Sequence, residues 1–75
     1  MNKYNVGDLI VQDDEVIYTI TKVLKFIDNS FGYDTEYYDR DNNRVTECYM
    51  SQVHIDTLLK GKQYIKAKYY PVNEI

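Results

Sequence analysis

Seventy-five residues with 44% apolar types make one domain and leave no chain for a second. The net charge of −3 does not call for a nucleic-acid partner, and the apolar content rules out a disordered chain. A core this small predicts a stability on the order of 3–5 kcal/mol, which dimerisation would raise.

The chain begins with a polar lead-in, Met1 to Asn5. Val6-Gly7-Asp8 reads as a turn, because Gly supplies permissive backbone angles and Asp bonds locally. Leu9-Ile10-Val11 is a first short strand, and Asp13-Asp14-Glu15 is an acidic hairpin connection. Val16 to Val23, VIYTITKV, is the strongest strand signal. Its first six residues are all β-branched or aromatic, and no Gly or Pro interrupts the run on to Ile27. Val16, Tyr18 and Ile20 fall on one face. Beyond Lys22 the apolar residues are Val23, Leu24, Phe26 and Ile27, so the face switches there. A bulge or sharp bend near Lys22 accounts for the switch.

Asp28-Asn29-Ser30-Phe31-Gly32 is loop by composition. Tyr33 to Asp39 (YDTEYYD) and Arg44 to Met50 (RVTECYM) form the clearest hairpin, joined by Arg40-Asp41-Asn42-Asn43. In Ser51 to Lys60 the apolar residues stop alternating, and Gly61 stands where a helix would stop. The pattern predicts a short 3₁₀ or α turn over Asp56 to Lys60, capped by Asp56 or Ser51. Gln63 to Tyr70 alternates again and ends at Pro71. Folded as a barrel, this pattern predicts burial of Ile20, Val23, Val45, Cys48, Val53, Ile65 and Ala67.

Five strands with short turns and one helical turn before the last resemble the Src-homology-3-type small barrels, a group that includes Tudor and KOW-like domains. The residues that carry the likeness are VGDLIV, VIYTITKV, YYDRDNNR and SQVHIDTLL, within positions 5–70. The resemblance implies an all-β, five-stranded barrel and brings no catalytic motif. In its Tudor-like members, aromatic residues on these strands cage methylated Lys or Arg by cation–π attraction. A short, acidic, Tyr- and Asn-rich chain is also similar to small proteins of bacteriophages and other mobile elements. That likeness implies a modulator or inhibitor of a host protein, with carboxylates imitating nucleic acid.

Cys48 is the lone cysteine and His54 the lone histidine. Six residues apart, with no third orienting group, they give no nucleophile signature and too few ligands for a metal site. Asp13-Asp14-Glu15 and Asp39-Arg40-Asp41 lack the spacing of a calcium loop. Gly7, Gly32 and Gly61 are isolated, so there is no phosphate-binding loop. The sequence therefore points to no enzyme, no cofactor and no metal. With no internal disulfide possible, no leader and no long apolar run, a cytoplasmic location is expected.

Two surfaces remain. The hairpin carries Tyr33, Tyr37, Tyr38 and Tyr49 among Asp34, Glu36, Asp39 and Asp41. Exposed Tyr is enriched at interfaces, so this is the expected contact with a basic patch on a protein partner. Adjacent Tyr37 and Tyr38 must face opposite ways, so one of them points outward as the anchor. The other surface reflects charge segregation. Positions 1–59 hold 5 Lys/Arg against 11 Asp/Glu, whereas positions 60–75 hold 4 Lys against 1 Glu. Lys60, Lys62, Lys66 and Lys68 with Tyr64 and Tyr70 form a basic, aromatic stripe that would suit a nucleic-acid strand. Its rival reading is a solvated edge strand, where Lys blocks edge pairing. A protein-binding module is the first expectation, as monomer or homodimer with no membrane contact. A nucleic-acid-binding barrel is the alternative.

Overall fold

The computed structural model describes residues 2–61 and 66–72. The elements are β1 (Leu9–Gln12), β2 (Val16–Lys25), β3 (Phe31–Asp39), β4 (Arg44–Ser51), α1 (Gln52–Leu59) and β5 (Ala67–Tyr70). All pairings are antiparallel, in the spatial order β4-β3-β2-β1-β5. The five strands and the single helix before the last strand match the sequence expectation and are compatible with a small barrel-like fold. The sheet is not closed into a barrel: β4 and β5 are its two edges.

Local chemistry sets the turns. Asp13 and Asp14 both take left-handed angles (φ 53° and 57°) in a tight turn closed by the Glu15 amide on the Gln12 carbonyl, within the three-residue connection Asp13 to Glu15. The pairing of β2 with β3 shifts register between Ile20 and Lys22, so the expected bulge is present, with Thr21 as the extra residue. Asp39 accepts the backbone amides of Asp41 and Asn42 at the hairpin tip, and Asn43 takes φ 54°. The helix starts at Ser51, whose Oγ accepts the His54 amide at 3.1 Å. It ends at Gly61, whose left-handed φ of 65° lets its amide reach the Leu58 carbonyl. Its eight residues are a longer element than the single turn expected at Asp56 to Lys60.

The core lies between one face of the sheet and α1. It is built from Tyr4, Ile10, Ile20, Tyr33, Met50 and Ile55, one from each of six segments of the chain. Of the expected core, Ile20 is fully buried, and Val23, Cys48 and Ala67 are half-buried. Val45 and Val53 are 62% and 74% exposed, and Ile65 falls outside the described residues. The reason is parity. β4 pairs with β3 in unbroken register, so Thr46, Cys48 and Met50 share the inner face and Val45 must point out with Glu47 and Tyr49. On α1, Val53 lies about 200° round the axis from Ile55 and so faces away from the core.

Phe31 and Gly32, read as loop, are the first residues of β3. Tyr49 of β4 lies across Gly32: a Cβ there would stand 2.6 Å from the ring. The covering ring compensates for the missing side chain, which is how a strand tolerates glycine.

The Met1 to Asn5 lead-in is also structural. Tyr4 is buried edge-on against Tyr33 and Tyr69, at 5.4 and 5.1 Å between ring centres. Its hydroxyl donates to Asp56 Oδ1 at 2.5 Å, and Lys3 Nζ bridges Asp56 Oδ2 at 3.0 Å. Asp8, read as a turn residue, is buried and collects three donors: the amides of Asn5 and Val72 and the hydroxyl of Tyr69.

Cys48 is half-buried on the inner face of β4, and its backbone carbonyl accepts the Thr35 hydroxyl at 2.7 Å. A small, partly packed thiol predicts that Cys48→Ser costs no more than about 1.5 kcal/mol and leaves binding unchanged. Urea unfolding and a binding titration of the same variant check both halves. Loss of binding in a folded Cys48→Ser protein would make the thiol chemical rather than packing.

Candidate protein-binding surface

Strand parity divides the hairpin residues between two faces. On β3, Tyr33, Thr35 and Tyr37 point inward, and Asp34, Glu36 and Tyr38 point outward. Two of the sequence-selected aromatics therefore leave the surface. Tyr33 is fully buried, and its hydroxyl donates to Gln52 Oε1 at 2.6 Å and accepts the Tyr4 amide. Burial raises its pKa. Tyr37 is half-buried, with its ring 5.1 Å from that of Tyr18. The outward member of the adjacent pair is Tyr38, which is 54% exposed, with its hydroxyl donating to Asn43 Oδ1 at the hairpin tip. Tyr49 is 51% exposed on the same outer face and packs against Phe26 at 6.4 Å. Asp39 and Asp41 lie at the tip, where Asp39 is occupied by Asn42, whose side-chain amide holds the Asp39 carboxyl below its ordinary pKa.

The outer face has an ordered arrangement that the sequence alone does not give. Val45 stands directly opposite Tyr38, Glu47 opposite Glu36, and Tyr49 opposite Asp34. Val11 of β1 stands opposite Ile17 of β2, and Ile17, Tyr38 and Val45 line one shallow hollow. An apolar row therefore crosses β1 to β4. Next to it, about 7 Å along the strands, lies the carboxylate pair of Glu36 and Glu47. Beyond that come Asp34 and Tyr49. Like charges directly across a strand pair are destabilising. Among the described residues neither Glu36 nor Glu47 is in an ion pair, the one such pair joining Lys3 to Asp56, and Lys22 of β2 stands opposite Asp34.

The alternative basic stripe is only partly described. Lys60 follows α1, Lys66 precedes β5, and Lys68 and Tyr70 lie two apart on β5, so they share the outer face. Lys62 and Tyr64 fall outside the described residues. The outer face is thus basic at its β5 edge and acidic at its β4 edge.

Elsewhere a cleft of about 230 Å³ lies between Glu15, Val16 and the hairpin tip, and a wide, open hollow of about 530 Å³ is lined by Phe26, Ile27, Asp28 and Ser30. Among the described residues no three His, Cys, Asp or Glu side chains gather as a metal-ligand set. No described helix is long and apolar enough to cross a membrane. No protein-family model, curated protein or solved structure matches the chain.

Proposed function

We propose that the protein is a non-catalytic protein-binding module whose working surface is the outer face of the β3–β4 hairpin. The observation that carries this reading is the facing pair Glu36 and Glu47, set between exposed Tyr38 and Tyr49, with neither carboxylate in an ion pair among the described residues. A basic patch on a partner relieves that repulsion, and the aromatic and aliphatic side chains beside it supply the desolvated contact. Asp34 and Asp41 form the rim of the same surface. Tyr33 and Tyr37 support it from beneath, since both pack inward. The partner's basic patch is of the kind that also receives phosphates, so this face would compete with nucleic acid for it.

The test is an alanine scan against the protein partner captured from candidate host lysate, with folding checked by circular dichroism. Tyr38→Ala should weaken binding by about 2 kcal/mol, roughly 30-fold, mainly through faster dissociation. Glu36→Gln and Glu47→Gln should slow association and flatten its salt dependence. The second reading rests on Lys68 and Tyr70 sharing the outer face at the other edge. If Lys66→Glu and Lys68→Glu abolish binding of a single-stranded nucleic acid while the hairpin variants are silent, the basic-strand reading replaces the first.

A further inference from the structure

The two edges of the open sheet are finished differently. β5 is four residues long, bears Lys68, follows Lys66 and stops at Pro71, all devices that discourage an added strand. β4 has none of them. It is eight residues long, pairs with β3 without a bulge from Arg44 to Ser51, and contains no Lys, Pro or Gly. α1 contributes Ile55 to the core and so packs on the inner side of the sheet. Among the described residues no strand lies against the outer edge of β4.

We infer that the free edge of β4 takes up an extended segment of the basic partner as a sixth strand. The segment carries Lys or Arg opposite Glu47, with an apolar residue two positions to either side against Val45 and Tyr49. The inference rests on reading the β3–β4 face as a surface for a basic protein, and it specifies how that protein is held. Backbone hydrogen bonds along the edge give affinity, and alternate side chains on the outer face give specificity. A cation across from Glu47 neutralises that carboxylate directly, in one row with Glu36 two strands away, and so relieves the repulsion of the pair.

A second copy of this chain does not fit the role. Residues directly opposed in an antiparallel pair point to the same face. Arg44, the one cation of β4, pairs with Asp39 on the inner face, whereas Glu47 points outward. No symmetric antiparallel register of β4 with itself sets Arg44 against Glu47, and the register centred on residue 47 sets Glu47 against its own copy.

The probe is the labelled, end-blocked peptide T-V-T-K-T-V-T, titrated against the full chain by fluorescence anisotropy. It is used unmodified, with Lys replaced by Glu, and with backbone N-methyl groups on either of the two alternating sets of amides. Binding should fall about tenfold when one amide set is methylated and stay unchanged with the other, because only one set faces β4. The Glu peptide should bind the parent chain poorly and recover on Glu47→Lys. Three results overturn the inference. If binding needs Glu47 but tolerates both methylated sets, the added strand is wrong and the protein-binding surface stands. If the peptide fails to bind while the Tyr38 scan succeeds, the partner is held by side chains alone. If the chain instead self-associates through β4, blocked by Glu47→Lys, the occupant is a second copy. Failure of the Tyr38 scan itself is the separate result that removes the underlying reading.

Discussion

Asp8→Ala should leave the chain largely unfolded at room temperature. The carboxylate is 1% exposed and accepts the Asn5 amide at 2.8 Å, the Tyr69 hydroxyl at 2.6 Å and the Val72 amide at 2.9 Å. These donors come from the lead-in, from β5 and from the residues after it, so one side chain ties both ends of the described chain to β1. The Asp8 backbone carbonyl also accepts the Ile20 amide. Hydrogen bonds to a charged acceptor contribute about 1.5–3 kcal/mol each, though not additively. Deleting the acceptor takes away the partner of three neutral donors, at about 1–3 kcal/mol for each left unsatisfied, a total of about 3 kcal/mol or more. That is comparable to the whole stability expected of a domain this small, about 3–5 kcal/mol. Burial by itself would raise the Asp8 pKa, but the bonds from Tyr69, Val72 and Asn5 outweigh it and hold the carboxyl below its ordinary value of 3.8. The folded state therefore binds the proton less readily than the unfolded chain. The stabilisation is complete above about pH 4 and is lost as pH falls through the folded value. Asp8→Asn keeps one acceptor oxygen, so it should be damaged less than Asp8→Ala and should show a flatter acid limb. Urea melts at pH 7 and pH 3 measure both effects. An Asp8→Ala chain within about 1 kcal/mol of the parent would contradict the assignment.

Much of this fold is legible in the residues. VIYTITKV announces the central strand by its unbroken β-branched and aromatic run, and the switch of apolar face near Lys22 marks the bulge at Thr21. RDNN marks the hairpin tip because Asp and Asn tolerate the angles it needs. Less legible are features that depend on what meets what. A strand core cannot hold both Val45 and Cys48, three residues apart, unless a bulge lies between them, and nothing in RVTECYM says which parity faces in. Met50 and Tyr33 settle it by meeting across β3 and β4. Tyr4 and Asp8 look like lead-in and turn because their partners, Asp56 and Tyr69, lie more than fifty residues away.

The candidate surface divides the same way. The sequence identifies an acidic, Tyr-bearing hairpin and the necessity that Tyr37 and Tyr38 part company. It does not identify Tyr33 as core, since a Tyr with a buried hydroxyl partner and a Tyr at an interface look alike in composition. Nor does it show that Glu36 and Glu47 face each other, which needs the register of β3 on β4. Closure of the sheet is another property of this kind. A short last strand ending at Pro71 is compatible with a barrel and with an open edge alike, and the free edge of β4 is visible only once the pairing order is known.

Tyr4→Ala should destabilise the protein by about 3–5 kcal/mol and Tyr4→Phe by about 1–2 kcal/mol. The ring fills the core edge-on between Tyr33 and Tyr69, with interplanar angles of 73° and 79°, so truncation removes two aromatic contacts and leaves a cavity. Phenylalanine keeps the ring and loses only the bond to Asp56. The two variants also differ from the parent in alkali. Burial, then the hydrogen bond to Asp56 and the charge on that carboxylate, push the Tyr4 phenol well above its ordinary pKa of 10.0. The folded state therefore keeps a proton that the unfolded chain gives up. Stability from this group is full below about pH 10 and falls as pH rises toward the folded value, by about 1.4 kcal/mol per pH unit while only the unfolded chain is ionised. Burial raises Tyr18 and Tyr33 as well, so the parent should lose stability steeply above pH 10. Tyr4→Phe removes one of these groups, so its stability should fall less steeply with pH there, even though it starts lower at pH 7. Urea midpoints for parent and Tyr4→Phe from pH 8 to pH 11 give the comparison directly. Parallel curves for the two proteins would mean that the Tyr4 hydroxyl is solvated in the folded chain and that the link to Asp56 does not hold the lead-in to α1.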